Sequence, residues 1–198
     1  MKNKFIITIS REYGSGGGEI GRRLSTYFDI PCYDKELLTM VAKDSGYCKE
    51  YFEKYDERPL KALTYFGVDS FANSLPINHQ LFLKQFNLIQ KLANEDSCIF
   101  VGRASDYALR EYKNVVNIFI HGDFEFRRKR SIVDHGVKEE ISAHTVKKID
   151  KERASYYKYY TDNRWGDAKN YHLCLDTSFI GIDETLNIII DFIKKRYR

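Results

Sequence analysis

The chain has 198 residues, 43% of them hydrophobic and 30% charged, which suits one domain with a substantial core and leaves too little for a second independent one. Its 32 basic and 28 acidic residues give a net charge of +4 and are spread without long single-sign tracts, so local anion sites are expected rather than a nucleic-acid-coating surface. The apolar run Phe5–Ile9 is too short for a signal-peptide core or a membrane span, and a cytoplasmic protein without membrane or nucleic-acid partners is expected.

The first strand-like run, Phe5–Ile9, leads into a glycine-rich segment and then a helix-length stretch, Gly17 to Phe28. A short run, Ile30–Tyr33, precedes a second helix from Lys35 to Ser45. The stretch Tyr47 to Asn78, with Pro59 and Pro76, is the least regular and reads as an insertion; its many aromatics suit either a substrate cover or a homodimer surface. Helices follow at Gln80 to Asn94, Ala104 to Glu111, Phe124 to His135, Lys138 to Tyr160 and Asp183 to Arg196. Among them lie strands at Cys98–Val101, Val115–Ile120 and Tyr171–Leu175. Asp123 and Asp183 stand where N-caps are expected, and Leu186, Ile189, Ile190 and Ile193 form the packing stripe of the last helix. Most of the strands are continuously apolar, as strands covered on both faces are. Their alternation with helices predicts an α/β fold with a parallel sheet.

The segment Ser10-Arg11-Glu12-Tyr13-Gly14-Ser15-Gly16-Gly17-Gly18-Glu19 joins the first strand to the first helix. A glycine-rich turn in that position points several backbone N–H groups at one anion, aided by the positive end of the helix. Tyr13, Gly14, Ser15, Gly16, Gly17, Gly18 and Glu19 are therefore the candidate residues for holding a nucleotide cofactor's phosphates. Against the G-x-x-x-x-G-K-[ST] pattern, the register with Gly16 as second glycine puts Arg11 in place of the first glycine and Gly17 in place of the lysine. A second register, starting at Gly16, puts Arg22 and Arg23 at the lysine and hydroxyl positions, but a turn inside the helix. In the first register Arg11 is the candidate to restore the missing positive charge, with an ion pair to Glu12 or Glu19 as its plainer use.

Ile9 to Gly17, Pro31-Cys32-Tyr33-Asp34-Lys35-Glu36-Leu37, Val101-Gly102-Arg103 and Tyr156 to Thr161 together resemble the cytidylate-kinase-like family of bacteria, over nearly the whole chain. The resemblance implies a P-loop kinase core with five parallel strands, a helical substrate-binding insertion at about 35–97 and an arginine-bearing lid at about 124–165, within a single domain. It implies ATP and Mg2+ as cofactors. Asp34, Arg103 and Asp106 become candidate substrate-binding residues, with Gly102-Arg103 resembling the pair that holds an acceptor phosphate. Arg127 and Arg130 resemble the start of the lid helix, and Asp150-x-x-Arg153 its return. With Arg11, these three arginines are the candidate catalytic residues, since guanidinium groups clamp phosphate through paired hydrogen bonds.

The cluster Tyr156, Tyr157, Tyr159 and Tyr160, with Trp165, suits an aromatic wall over a ligand or a packed hinge beneath the lid. Asp34, Glu19 and Asp106 are the candidate carboxylates for Mg2+. The four cysteines form no C-x-x-C pair and read as buried thiols, and the five histidines show no metal-ligand spacing. The expected activity is ATP-dependent phosphoryl transfer to a nucleoside monophosphate or another small phosphate acceptor. The alternative is a nucleotide-binding regulatory protein, suggested by the joint loss of the loop's lysine and hydroxyl.

Overall fold

The computed structural model describes residues 4–45, 57 and 77–197. Its centre is a five-stranded sheet of β1 (Ile6–Arg11), β2 (Cys32–Tyr33), β3 (Cys98–Val101), β4 (Val115–His121) and β5 (Leu173–Asp176). The order across the sheet is β2-β3-β1-β4-β5, and every pairing is parallel. Helices are α1 (Gly17–Phe28), α2 (Glu36–Ser45), α3 (Ile77–Glu95), α4 (Ser105–Ala108), α5 (Phe124–Val133), α6 (Glu139–Thr161) and α7 (Thr177–Arg196). Apart from Glu57 and the start of α3, the stretch read as an insertion, Tyr47 to Asn78, lies outside the described residues, as does Cys48.

All six residues of β1 are buried because the strand is covered on both faces. Ile7 and Ile9 face Ile20 and Leu24 of α1 and Leu186, Ile189, Ile190 and Ile193 of α7. Ile6 faces the other way, into a cluster with Phe100 of β3 and Ile89, Leu92 and Ala93 of α3. Each such side chain contributes about 1.5–3 kcal/mol by leaving water, which is why this strand shows no polar alternation.

Asp123 caps α5 as expected, accepting from the N–H groups of Glu125 and Phe126. The last helix differs from the expectation. It is capped by Asp176, which accepts from the N–H of Ser178, and it breaks at Gly181 (φ 78°, ψ 166°). Asp183 does not cap; its carboxylate takes an ion pair from Arg23 at 2.6 Å. The helix expected from Ala104 to Glu111 shortens to Ser105–Ala108. Among the described thiols only Cys98 is buried, while Cys32 is half-buried and Cys174 exposed. The loops that follow all five strands gather at one edge, where parallel sheets present their ligand crevice. Among the described residues, no helix is long and apolar enough to cross a membrane.

Candidate active site

β1 ends at Arg11 and the chain turns sharply before α1. Gly14 and Gly16 adopt φ values of 78° and 87°, open to glycine but costly for other residues. A Cβ on Gly14 would lie 2.4 Å from the carbonyl oxygen of Arg127, so the loop also runs too close to α5 for a side chain. The N–H groups of Gly17, Gly18 and Glu19 open α1 and have no carbonyl one turn earlier within the helix. That leaves donors, at the positive end of a helix, aimed out of the loop. Ser15 spends its hydroxyl inside the turn, donating to the carbonyl oxygen of Glu12 at 2.8 Å, so only its backbone lies along the cradle. Thr177, the first residue of α7, donates to the Ser15 carbonyl at 2.8 Å and ties the loop to the junction of β5 and α7. Arg22 and Arg23, the basic pair of the other register, lie within α1, and Arg23 is paired with Glu19 and Asp183.

Arg11 sits where a side chain on Gly17 would begin. A Cβ added to Gly17 would be 2.5 Å from the Cβ of Arg11 and 3.0 Å from its Cγ. The stem of Arg11 thus occupies the volume in which a residue-17 lysine would start. Its guanidinium passes beneath Gly102 toward β3, where a Cβ on Gly102 would lie 2.1 Å from Nη1. Its partners are neither Glu12 nor Glu19. Nη1 donates to Oε1 of Glu57 at 2.6 Å, and Nη2 is 3.9 Å from Asp34.

Three guanidinium-bearing residues from separate elements meet here. The N–H of Arg103 donates to the same Glu57 oxygen at 3.0 Å, and Nε of Arg153 forms an ion pair with Oε2 at 3.3 Å. Arg103 extends Nη1 to Asp34 at 2.6 Å and to the Val101 carbonyl at 2.8 Å, while Arg153 donates to the carbonyl oxygen of Arg11 at 3.0 Å. Burial alone would push the Glu57 carboxyl up, but Arg11, Arg153 and Arg103 outweigh it and hold it well below the usual carboxylate range. Arg153 is lowered to about 10, by burial first and by the neighbouring Arg11 second. A cleft opens over this cluster between Ser10, Gly102, Ala104, Tyr156, Tyr157 and Trp165.

The remaining arginines behave differently. Arg127 is buried and fully engaged. Nε donates to the Gly122 carbonyl at 2.9 Å and pairs with Glu12 at 3.1 Å; Nη1 donates to the Tyr13 carbonyl at 3.1 Å and to Asp150 at 2.6 Å. Asp150 in turn accepts from the N–H of Tyr13 at 2.7 Å. Arg127 and Asp150 therefore lock α5 and α6 onto the backbone of the glycine loop rather than pointing into the cleft. Arg130 pairs with Glu19 at 2.8 Å and with Asp134 at 2.6 Å, and it lies near Gly16 at the start of α1. The ring of Tyr13 lies 5.1 Å from that of His135.

Of the carboxylates considered for a cation, Glu19 is taken by Arg130 and Arg23. Asp106 is buried below the cleft, accepts the Tyr157 hydroxyl at 2.6 Å, and is pushed up to about 6 by burial. Asp34 differs. Oδ1 takes the arginines, whereas Oδ2 reaches to 3.6 Å from where a Gly18 Cβ would stand. Among the described residues no three His, Cys, Asp or Glu side chains cluster as a metal cage. One carboxylate beside a glycine loop fits Mg2+, which usually takes one or two carboxylates where substrate phosphates and water supply its other ligands. In the tyrosine cluster Tyr160 stacks on Phe82 at 3.9 Å and Tyr159 is exposed, while the buried Tyr156 and Tyr157 also line the cleft. Sequence reasoning missed Glu57, which nothing distinguishes from the nearby Glu50, Glu53 and Asp56. It also missed that Glu12 partners Arg127.

The model of the cytidylate kinase-like family matches residues 6–179. The chain belongs to the cytidylate kinase-like family. A solved structure of an uncharacterized protein from Eubacterium ventriosum ATCC 27560 is 31% identical, with a TM-score of 0.75 over 96% of this chain and 99% of that one. The shikimate kinase from Acinetobacter baumannii, solved in complex with shikimate, is 12% identical with a TM-score of 0.57 over 99% and 96%. That likeness is one of fold alone: a five-stranded parallel sheet flanked by helices. A uridine kinase from Clostridium botulinum (strain Okra / Type B1) is 32% identical over 91 residues, 46% of this chain. The match spans 41% of that relative's length. Membership of a kinase-like family supports a phosphotransferase.

Proposed function

We propose that this member of the cytidylate kinase-like family is an ATP-dependent phosphotransferase acting on a nucleoside monophosphate or another small phosphate acceptor. The observation that carries the reading is the meeting of Arg11, Arg103 and Arg153 on one carboxylate, beside a glycine loop whose lysine position is glycine. When bound, ATP with Mg2+ supplies the transferable phosphoryl group. The N–H groups of Gly17, Gly18 and Glu19 bind the donor phosphates, and Asp34, whose Oδ2 lies beside Gly18, would hold the cation. Arg11 restores the charge a lysine would carry, reaching from the loop toward Arg103, which binds the acceptor with Asp34. Arg153 lies against both Arg11 and Glu57, so it meets charge developing between the two substrates. Arg127 is a positioning residue: it holds the Tyr13 backbone and so the shape of the cradle.

The test is coupled ADP release across an acceptor panel of CMP, UMP, dCMP, uridine, cytidine and shikimate. Turnover with one acceptor class, lost on Arg153→Ala, is expected. Measurable ATP binding with no turnover on any acceptor contradicts the transfer reading and favours the regulatory one.

A further inference from the structure

We propose that Arg11, Arg103 and Arg153 form a single oxyanion site that Glu57 fills in the ligand-free chain, so that a phosphate group enters only by displacing the Glu57 carboxylate. This rests on the phosphotransferase reading for its biological use, but its geometry stands independently. Oε1 faces Arg11 and the N–H of Arg103, and Oε2 faces Arg153. The two oxygens are thus shared among donors from the end of β1, the turn after β3 and helix α6. Guanidinium groups recognise carboxylate and phosphate by the same paired hydrogen bonds, so a cradle built for one accepts the other.

Both sides of the contact carry backbone strain. Glu57 itself has a φ of 50°, and the turn that aims the Arg103 N–H has positive φ at Gly102, Arg103 and Ala104. A left-handed backbone is unfavourable for a non-glycine residue, and such outliers persist where the surroundings over-determine them. Gly102 allows the approach, since a Cβ there would stand 2.1 Å from both Arg11 Nη1 and Glu57 Oε1. Arg11 is buried and Arg153 half-buried beside it, an arrangement that requires an anion between them. With no ligand bound, Glu57 supplies it.

A permanent structural counter-ion and a displaceable occupant make opposite predictions for Glu57→Gln, which keeps the shape and one acceptor oxygen but removes the charge. The probe is inorganic phosphate, titrated calorimetrically at pH 7 and constant ionic strength into the full chain. If the carboxylate holds the cradle about 90% of the time, its removal tightens apparent phosphate binding about tenfold. Arg153→Ala is expected to weaken binding in either background. A Glu57→Gln chain that folds only when phosphate is added also supports the proposal, because phosphate then replaces the lost anion. Phosphate affinity that is unchanged or weaker in Glu57→Gln, or a variant unfolded with and without phosphate, overturns it. The readout is binding, so it separates from the transfer reading: tighter phosphate binding without turnover on any acceptor removes the kinase assignment and leaves the displaceable carboxylate in place.

Discussion

Gly17→Ala places a methyl carbon 2.5 Å from Cβ and 3.0 Å from Cγ of Arg11, whereas carbon atoms pack best at about 3.5–4.0 Å. Neither wall yields easily. β1 is paired with β4 through Arg11 itself, opposite Ile120, and Gly17 is the first residue of α1. Overpacking of this kind costs about 1–3 kcal/mol, against which alanine's helix preference over glycine returns at most about 1 kcal/mol. A net loss of about 1–2 kcal/mol is expected. Arg11→Gly removes both contacting carbons, so the same Gly17→Ala change should cost nothing in that background. Urea unfolding of the four chains closes a double-mutant cycle with a coupling of about 1–3 kcal/mol, the overpacking alone, since alanine's helix preference and the cost of a glycine in a central strand both cancel. Equal cost in both backgrounds would refute the claim that the Arg11 stem occupies the lysine's space.

Arg127→Lys keeps the charge but cannot reach Gly122, Tyr13, Glu12 and Asp150 together, and breaking such a buried arrangement costs about 3 kcal/mol. Chemical unfolding should show that loss, together with weaker ATP binding through the loosened loop; a variant as stable as the parent contradicts the latch. Asp106→Asn tests the buried carboxyl through pH. The folded value, pushed up to about 6, exceeds the ordinary one, so this group's contribution is full below the unfolded pKa and is lost as pH rises through 6. The amide keeps an acceptor for the Tyr157 hydroxyl, and the stability difference, variant minus parent, should grow by about 2 kcal/mol between pH 4 and pH 7. A pH-independent difference rules out a buried, titrating Asp106.

Much of the architecture was legible because it rests on local rules. Largely apolar runs such as Ile6–Ile9 marked strands buried on two faces, and Asp123 marked a helix start. The glycine run marked a sharp strand-to-helix turn that needs positive φ at Gly14 and Gly16. The break at Gly181 was hidden because helical spacing at Leu186, Ile189, Ile190 and Ile193 continues regardless of where the helix begins, so Asp183 looked like a cap. At the site, the sequence brought the arginines into view but not their division of labour. Arg127 and Arg153 look alike as members of lid segments, yet one is bonded to loop carbonyls and the other lies against Glu57. That difference is set by contacts across more than 100 positions, between Tyr13 and Arg127 and between Arg11 and Arg153. Glu57 was invisible for the same reason: a carboxylate becomes an anion mimic only when the fold surrounds it with guanidinium groups.

The central claim is that Arg11 carries the charge the glycine loop lacks, and comparison of ATP with AMP tests it most directly. Calorimetric titration of each, with Mg2+, into the parent chain and Arg11→Ala should show ATP binding weakened at least about tenfold, as loss of a charge-assisted hydrogen bond of about 1.5–3 kcal/mol requires. AMP, which lacks the β- and γ-phosphates, should be affected far less. Equal ATP affinity in the two chains would contradict the account.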